Sequence, residues 1–532
     1  MGRRHGPVES DSTRILPGQT EPLARGFIGF LGGPMGDHAL VGRVQWGTPL
    51  RVLLLTAAAF LSLGWMQKAQ CLRSPVGGGA VAAGGVDWSG NRQFTSACYS
   101  DTVSLFSARG LDQLAFPYLH SWQEAGQTRY MEYPVVTGLF QWFAAVLARP
   151  VGAGWRALGL PGATDVAVYF GVSAVFLAAA WMAAVGLTGL LAGRRVWDAV
   201  LMAASPLVIV HAFTNFDTLS VLAAVAGLWL WSRNKPAGAG VALAVGVALK
   251  LWPVFIAGAI VLLCLRARAY GALVRFGVAA VIAWLLVNVP IMIVAPAGWA
   301  EFFRMNSARG LEGSTLYAVA EHIAGPRSWL STHVLQGSPA VLNAIGLLSL
   351  GACLAALAYL VLGAEKQPRL AQVAFLSVLA FLVTNKVWSP QYSLWLLPLL
   401  VLALPRWRLV FGWAAVEAVY WYLRMWQFLP PKQAAPHYLV DTVTVLRIGL
   451  LLWMAGVVLR QTRSGWDEVR AAHDGADPLA GPLDGRRRCG GDRRGGALGS
   501  GRMGVHNKGQ DATDRGVEQT HTTATPTGDP GV

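Results

Sequence analysis

Charged residues are scarce in this sequence. Only 13% of its 532 residues are Asp, Glu, Lys or Arg, whereas 54% are hydrophobic; a soluble globular protein usually carries about 25% charged residues. The scarcity arises from many separate apolar runs of roughly 15–25 residues, each long enough to be a membrane helix. The composition therefore excludes an ordinary soluble domain and predicts an all-α protein that crosses a membrane many times.

Motifs that bind nucleotides or metals are also lacking. The sequence has no Gly-x-x-x-x-Gly-Lys-Ser/Thr phosphate loop, no Asp-x-Asp pair, no His-Glu-x-x-His and no Cys-x-x-Cys. We therefore expect neither a metal nor a cofactor, and neither a nucleotide-driven pump nor an enzyme that uses nucleotide sugars. Cys71 and Cys98 share one predicted outer loop, where they could form a disulfide or remain free thiols.

The positive charge lies mainly between the apolar runs. The net charge is +15, yet the first 51 residues hold six Arg against four acids and the residues from Arg460 hold eleven Lys/Arg against ten. Short basic loops are typical of the cytoplasmic side of a membrane protein. This distribution argues against a nucleic-acid partner and identifies the cytoplasmic loops, which contain Arg194/Arg195, Arg233/Lys235, Arg266/Arg268/Arg275, Lys366/Arg369 and Arg406/Arg408.

Placing all five basic loops in the cytoplasm predicts about twelve spans, with both termini cytoplasmic. We expect a transmembrane domain over residues 46–463, between disordered cytoplasmic segments at 1–45 and 464–532 whose composition is polar and rich in Gly and Pro. The predicted spans are 50–66, 166–192, 196–213, 218–232, 237–250, 253–265, 274–295, 341–362, 370–385, 391–405, 408–427 and 441–460.

One apolar run, Val135–Ala148, is left over from this topology. A full crossing there would place Arg194 and Arg195 outside, so the run either re-enters the membrane or, as we prefer, lies along its surface. The stretch from Asp101 to Leu111 also has the periodicity of a short amphipathic helix. The first outer loop is therefore expected to carry interfacial helices.

Asp101 is the leading candidate for a catalytic residue. It lies in Cys98-Tyr99-Ser100-Asp101, on the water side of the first span. An Asp in the first turn of a helix could simply cap that helix. The alternative is that its carboxylate is a general base, which takes a proton from the hydroxyl of an acceptor.

Four cations are candidates for binding a phosphate group. Lys250 and Lys386 lie at the outer ends of spans, where positive charge runs against the topological bias; each could also reach the interface as an ordinary anchor. Arg304 and Arg309 lie in the outer loop 301–317, where the alternative is an exposed interfacial helix. Further candidates for substrate binding on the same face are Glu132, Tyr133, His211, Asn215, Asp217, Gln391 and Tyr392. A single His such as His211 is more often a structural residue.

Together these motifs resemble the GT-C superfamily of membrane glycosyltransferases, in particular glycosyltransferase family 87 (also called DUF2029), which includes polyprenol-phosphate-mannose-dependent α-mannosyltransferases. The resemblance covers roughly residues 50–460 and rests on Cys98–Asp101, Tyr133-Pro134, Asn215–Asp217, Lys250–Pro253 and Asn385–Tyr392. One departure is Glu132-Tyr133-Pro134-Val135, where many relatives carry Tyr-Pro-Pro.

The resemblance implies a GT-C-like bundle and an inverting hexosyltransferase in the bacterial plasma (inner) membrane. It would move a sugar, by family default mannose, from a polyprenyl phosphate to an envelope glycolipid or glycan on the extracytoplasmic face. Asp101 would be the general base, and Lys250, Lys386 and Arg304 would stabilise the leaving phosphate. The alternatives are a transporter or flippase for a lipid-linked or small polar substrate, and a non-catalytic scaffold.

Overall fold

The computed structural model describes residues 14–30, 48–74, 85–160 and 164–484. These residues are almost entirely α-helical; a short antiparallel hairpin, β1 (Trp122–Glu124) with β2 (Gln127–Arg129), lies in the loop after Asp101. The expected all-α polytopic membrane fold is confirmed.

The helices follow in chain order. They are α1 (Pro17–Thr20), α2 (Pro22–Phe30), α3 (Pro49–Ala69), α4 (Arg92–Thr95), α5 (Asp101–Ala108), α6 (Val135–Ala157), α7 (Asp165–Leu191), α8 (Val200–Ala203), α9 (Pro206–His211), α10 (Asp217–Ser232), α11 (Pro236–Leu249), α12 (Pro253–Arg266), α13 (Tyr270–Val294), α14 (Pro296–Ala308), α15 (Leu316–Ala324), α16 (Pro339–Gly363), α17 (Leu370–Thr384), α18 (Ser393–Ala403), α19 (Trp407–Trp426), α20 (His437–Ser464) and α21 (Glu468–Ala472).

The bundle has two ends, which we call the Asp101 end and the Arg194 end. Helix α3 connects them: Leu53, in its second turn, packs beside Gly189 close to Arg194, and Lys68, near its last residue, donates a hydrogen bond to the Tyr99 carbonyl at 2.9 Å. Just beyond α3, Cys71 and Cys98 form a disulfide at the Asp101 end. The link joins the end of α3 to the segment that carries Asp101.

Twelve segments of the described chain connect these two ends. They are α3, α7, the broken segment from Gly193 to His211, the run α10 to α13, and the run α16 to α20. Six helices are long and apolar enough to cross a membrane, namely α3, α6, α7, α13, α16 and α20. Of the shorter apolar helices, α17 and α18 are buried along almost their whole length. Short helices can cross there because protein rather than lipid surrounds their ends.

All five basic loops lie at the Arg194 end. The segment 467–481 packs against four of them: Arg194 pairs with Asp474, Arg406 pairs with Glu468, Arg369 pairs with Asp467, and Gly481 lies against Trp231 next to Arg233. In the fifth basic loop, Arg266 donates to carbonyl oxygens in the last turn of α16. The arrangement agrees with the topology that the loop charges predict.

Helix α6 begins and ends at the Asp101 end. Near its start, Thr137 donates to the Leu249 carbonyl at 2.6 Å; in its last turn, Arg156 pairs with Asp165 at 2.9 Å. Asp165 begins α7, and Tyr169 in the next turn stacks on Phe106 of α5 at 4.7 Å. Although α6 has the length and composition of a span, it lies across one end of the bundle, which favours the surface position expected for Val135–Ala148.

The expectation of disorder is wrong for residues 14–30 and 465–484. Asp467 caps α21 by accepting hydrogen bonds from the amides of Val469 and Arg470, and it pairs with the fully buried Arg369 at 2.8 Å. Glu21 pairs with Arg195 in the same way. Polar composition does not reveal such specific pairs. The other residues of the expected disordered segments, 1–13, 31–47 and 485–532, lie outside the described part.

Two truncations test whether residues 466–484 belong to the folded domain. Ending the chain at Gly465 removes Asp467 and leaves Arg369 buried without its carboxylate, which we expect to cost about 3–5 kcal/mol of unfolding free energy. Ending it at Asp484 retains the pair and should leave the thermal unfolding midpoint in detergent unchanged. Equal midpoints for the two truncated proteins would contradict a structural role for this segment.

Candidate functional site

A cavity of about 400 Å³ opens at the Asp101 end. Its walls come from the Tyr99–Leu105 segment, the start of α6, the α9–α10 junction, the end of α14, the loop before α18 and the end of α19. The polar side chains that line it are Tyr99, Asp101, Glu132, Tyr133, Thr214, Asn215, Lys250, Asn306, Arg309, Glu312, Ser389, Gln391, Tyr392 and Arg424.

Backbone contacts hold Asp101 in this cavity. The Ser100 hydroxyl donates to the Phe213 carbonyl at 2.7 Å, and the Asp101 amide donates to the Thr214 carbonyl at 2.8 Å. The Asp101 carboxylate accepts one hydrogen bond from the Tyr99 hydroxyl (2.8 Å) and one from the Asn215 amide (2.6 Å). Ser100 is the N-cap residue of α5. The carboxylate therefore faces the cavity and does not cap the helix.

The Asp101 side chain is only half-exposed within the cavity. This loss of hydration raises its pKa, whereas hydrogen bonds from Asn215 and Tyr99 and the positive charge of Lys250 oppose the rise. A carboxyl group in this situation is a stronger base than an exposed one. Three neighbours, Tyr99, Asn215 and Lys250, stabilise its ionised form.

Asn215 connects Asp101 to Lys250. Its amide group donates to Asp101 and to the Tyr133 hydroxyl at 2.8 Å, and its carbonyl oxygen accepts from the Lys250 ammonium at 3.1 Å. An ammonium can only donate, so the amide oxygen must face it. Lys250 also pairs at 2.9 Å with Asp217, a buried carboxylate that accepts a second hydrogen bond from Trp395. Asp217 orients the lysine from behind the cavity wall.

Two of the four expected phosphate ligands do not line the cavity. Arg304 pairs with Glu301 at 2.6 Å and donates to the Thr128 carbonyl at 2.7 Å. Lys386 is buried and donates to the carbonyl oxygens of Ser307 and Arg309. The structure therefore does not bring Arg304 and Lys386 to the cavity wall, and each is engaged with the protein itself.

Lys250 and Arg309 do line the cavity, and so do five of the seven expected substrate-binding residues. Tyr133, Asn215, Gln391 and Tyr392 face it directly. Glu132 also lines it but is held by a two-pronged ion pair with Arg109 (2.7 and 2.9 Å), which stacks on Trp122 of β1.

His211 is placed elsewhere, and its expected contact with substrate is wrong. Its ring is fully buried and lies 5.1 Å from the ring of Trp421. It is absent from the cavity wall. His211 is therefore a structural residue, as a single His more often is.

Several cavity residues were not expected from the sequence. Glu312 and Arg424 bring a third carboxylate and another cation to the cavity lining, and Phe94, Trp421 and Phe428 add aromatic surface. Burial raises the pKa of Glu312, and the charges of Arg309 and Arg424 oppose this rise. Tyr99 had a signal, since it adjoins Asp101 in the motif. Glu312 and Arg424 had none that distinguishes them from ordinary loop charges.

A buried ion pair supports the Glu312 side of the cavity. Arg447 of α20 pairs with Glu417 of α19 at 3.0 Å, and both side chains are fully buried. The guanidinium lies between the rings of Trp388 (4.6 Å) and Tyr420 (4.2 Å) and donates to the Ser314 carbonyl. These contacts attach the loop before α15 to the bundle.

A larger groove of about 780 Å³ lies between α16, α17 and α20. Its lining is almost entirely apolar, and its charged residues, Glu365 and Arg463, lie at the Arg194 end. It therefore has no group that could perform chemistry near Asp101. The described residues contain no group of three His, Cys, Asp or Glu side chains that could hold a metal ion.

Comparison with known proteins identifies one family. Residues 139–390, just under half of the chain, match the model of Glycosyltransferase family 87. No curated protein matches the chain. The matched range includes Asn215, Lys250 and Arg309, whereas Asp101 and Glu132 precede it.

The Arg447–Glu417 pair can be tested by its removal. Arg447→Met leaves the Glu417 carboxylate buried without its partner, so we expect a loss of about 3–5 kcal/mol in unfolding free energy. Arg408→Met, at an exposed position of α19, is the control and should change the thermal midpoint little. Adding Glu417→Leu to Arg447→Met should restore part of the stability; no recovery would contradict this account of the loss.

Proposed function

We propose that this chain, which matches the model of glycosyltransferase family 87 over residues 139–390, is a multi-pass membrane glycosyltransferase whose donor is a sugar, mannose by family default, linked to a polyprenyl phosphate. The acceptor is a glycolipid or glycan of the bacterial envelope. One observation carries the proposal: Asn215 holds a carboxylate, Asp101, and an ammonium, Lys250, within the same cavity. These are the two groups that a transfer from a phosphate-activated sugar requires.

Asp101 is the general base of this reaction. It removes the proton from the acceptor hydroxyl while the hydroxyl oxygen forms a bond to the anomeric carbon of the donor. The bond from that carbon to the phosphate oxygen breaks, and its electron pair leaves with the polyprenyl phosphate. A direct displacement of this kind inverts the configuration of the anomeric carbon. It requires neither a nucleotide nor a metal ion.

Lys250 stabilises the departing phosphate. The phosphate gains one negative charge as the bond breaks, so a cation beside it lowers the barrier more than it strengthens donor binding. Asp217 and Asn215 accept two of the three N–H donors of the ammonium, and the third is available for a phosphate oxygen. Arg309, which also lines the cavity, supplies a second positive charge.

The donor tail leaves through an apolar crevice beside the cavity. This crevice, of about 80 Å³, shares Tyr133, Pro134 and Phe302 with the cavity and also contacts Trp284 of α13. The outer face of α13 is exposed and apolar, as a lipid-facing surface is. A polyprenyl chain can therefore remain in the bilayer while its phosphate lies near Lys250.

The Asp101 end is the extracytoplasmic end in this proposal. The five basic loops all lie at the opposite end, and positive loops favour the cytoplasm. The Cys71–Cys98 disulfide lies at the Asp101 end, and disulfides persist in oxidising compartments. Two independent features thus support an active site on the extracytoplasmic face of a bacterial plasma membrane. The described chain segments next to both termini then lie on the cytoplasmic side.

Replacement of Asp101 tests the general base. Asp101→Asn keeps the size of the side chain but removes the base, so transfer from radiolabelled polyprenyl-phosphate mannose to envelope glycans should fall about 10²–10⁴-fold. Asp112→Asn, an exposed position of the same loop, is the control and should retain full activity. Normal turnover by Asp101→Asn, with protein levels equal to those of the control, would overturn this role.

The pH profile tests the link between Lys250 and Asp101. Lys250 lowers the pKa of Asp101, so Lys250→Met should raise that pKa. Because transfer needs the ionised carboxylate, activity is lost as the pH falls through this pKa, and the acid limb of kcat/KM should move to higher pH. Lys432→Met, an exposed position at the same end, should leave the limb in place. The activity of Lys250→Met is normalised to the plateau of that variant. If its acid limb then lies at the same pH as that of the wild-type protein, the coupling is contradicted.

A further inference from the structure

Aromatic rings form a row that leads away from Asp101 on the side opposite Lys250. The Tyr99 ring, whose hydroxyl bonds to Asp101, lies 6.3 Å from the ring of Phe94, and Phe94 lies 5.2 Å from Phe428. The row ends at Arg424, whose guanidinium lies 4.5 Å above the Phe428 ring. All five residues line the cavity.

Hydrogen bonds hold this row in place. The indole of Trp421 donates to the Ala97 carbonyl at 2.8 Å, and the indole of Trp426 donates to the Thr95 carbonyl at 3.2 Å. Both join the end of α19, which carries Arg424 and Phe428, to the segment that carries Phe94 and Tyr99. The aromatic wall is therefore formed before any substrate binds, and no ordering of these rings is needed on binding.

Glu312 faces the charged end of the row. The Arg424 guanidinium packs against the backbone of Gly313, since a Cβ atom added there would meet it at 3.0 Å, so Glu312 and Arg424 are close neighbours. The Ser389 hydroxyl lies 3.5 Å from both Glu312 oxygens. This part of the cavity thus combines a carboxylate, a guanidinium and a hydroxyl around exposed aromatic surface.

We propose that Phe94, Phe428, Glu312 and Arg424 form the subsite that binds the terminal sugar of the acceptor. A pyranose has an apolar face of C–H groups, which packs on aromatic rings, and a rim of hydroxyls, which bond to carboxylate and guanidinium groups. Glu312 and Arg424 offer an acceptor and donors to the hydroxyls of an uncharged hexose. The proposal rests on the function proposed above and assigns one side of the same cavity.

The geometry around Asp101 assigns this side to the acceptor. One carboxylate oxygen faces Asn215 and, through it, Lys250, where the donor phosphate lies; the other faces Tyr99 and the aromatic row. The donor tail leaves through the crevice beside Tyr133, which Phe94 and Phe428 do not line. An acceptor sugar on the row therefore brings its hydroxyl to Asp101 from the side that the donor leaves open.

Two phenylalanines allow a matched test. Phe428 on the row and Phe303 in the tail crevice are similarly exposed, at 48% and 50%, so neither alanine variant should unfold the protein; thermal midpoints check this. In vesicles supplied with radiolabelled polyprenyl-phosphate mannose, Phe428→Ala should raise the KM for acceptor about tenfold and change the KM for donor less than twofold. Phe303→Ala should do the reverse. Glu312→Gln should have the same effect as Phe428→Ala, a higher KM for acceptor with little change in the KM for donor.

Two acceptor preparations distinguish the source of the sugar. One is the extracted envelope glycolipid fraction, and the other is the water-soluble glycan fraction from the same envelopes; the inference requires the KM shift with whichever is used. An unchanged acceptor KM in Phe428→Ala, or an equal rise in both KM values, would overturn the subsite. If the wild-type protein labels neither fraction, the proposed function fails first and this inference falls with it.

Discussion

The site depends on the shared contact of Asn215 with Asp101 and Lys250. Direct contact between the Asp101 carboxylate and the Lys250 ammonium would occupy the oxygen and the N–H that these two groups present to the cavity. The amide keeps the two charges apart while it bonds to both, at 2.6 Å and 3.1 Å. In the proposed function, the carboxylate is thereby stabilised as an anion yet faces the cavity as the base, and the ammonium keeps one N–H donor for the phosphate.

Long-range backbone contacts bring these groups together. Ser100 and Asp101 bond to the carbonyl oxygens of Phe213 and Thr214, more than 110 residues later, so the motif in the first loop is attached directly to the turn that carries Asn215. The buried Arg447–Glu417 pair does the same for the Glu312 loop, and the Arg369–Asp467 pair holds the opposite end. Polar contacts specify the position of each loop where the apolar helix surfaces do not.

Sequence patterns predicted the bundle better than the cavity. Apolar runs and basic loops were enough to predict twelve segments that connect the two ends and to predict that Val135–Ala148 is not one of them. Helix length and loop charge can be read from the local sequence. They also placed Asp101, Asn215 and Lys250 at one end. Arg304 and Lys386 lie at that end too, but topology does not define the direction of a side chain. Their partners, such as the Thr128 carbonyl, are brought close only by the folded chain.

The charge of the cavity stays constant during the proposed transfer. Asp101 loses its negative charge when it accepts the proton, and the phosphate gains one when the sugar leaves. Donor binding places an anion near Lys250. The anion offsets the positive charge that stabilises the ionised Asp101 carboxylate, so the carboxylate becomes a stronger base. Asn215 and Tyr99 keep that carboxylate ionised by hydrogen bonds that the donor does not disturb. The base thus becomes most effective when the donor is already in place, which disfavours proton transfer in an empty site.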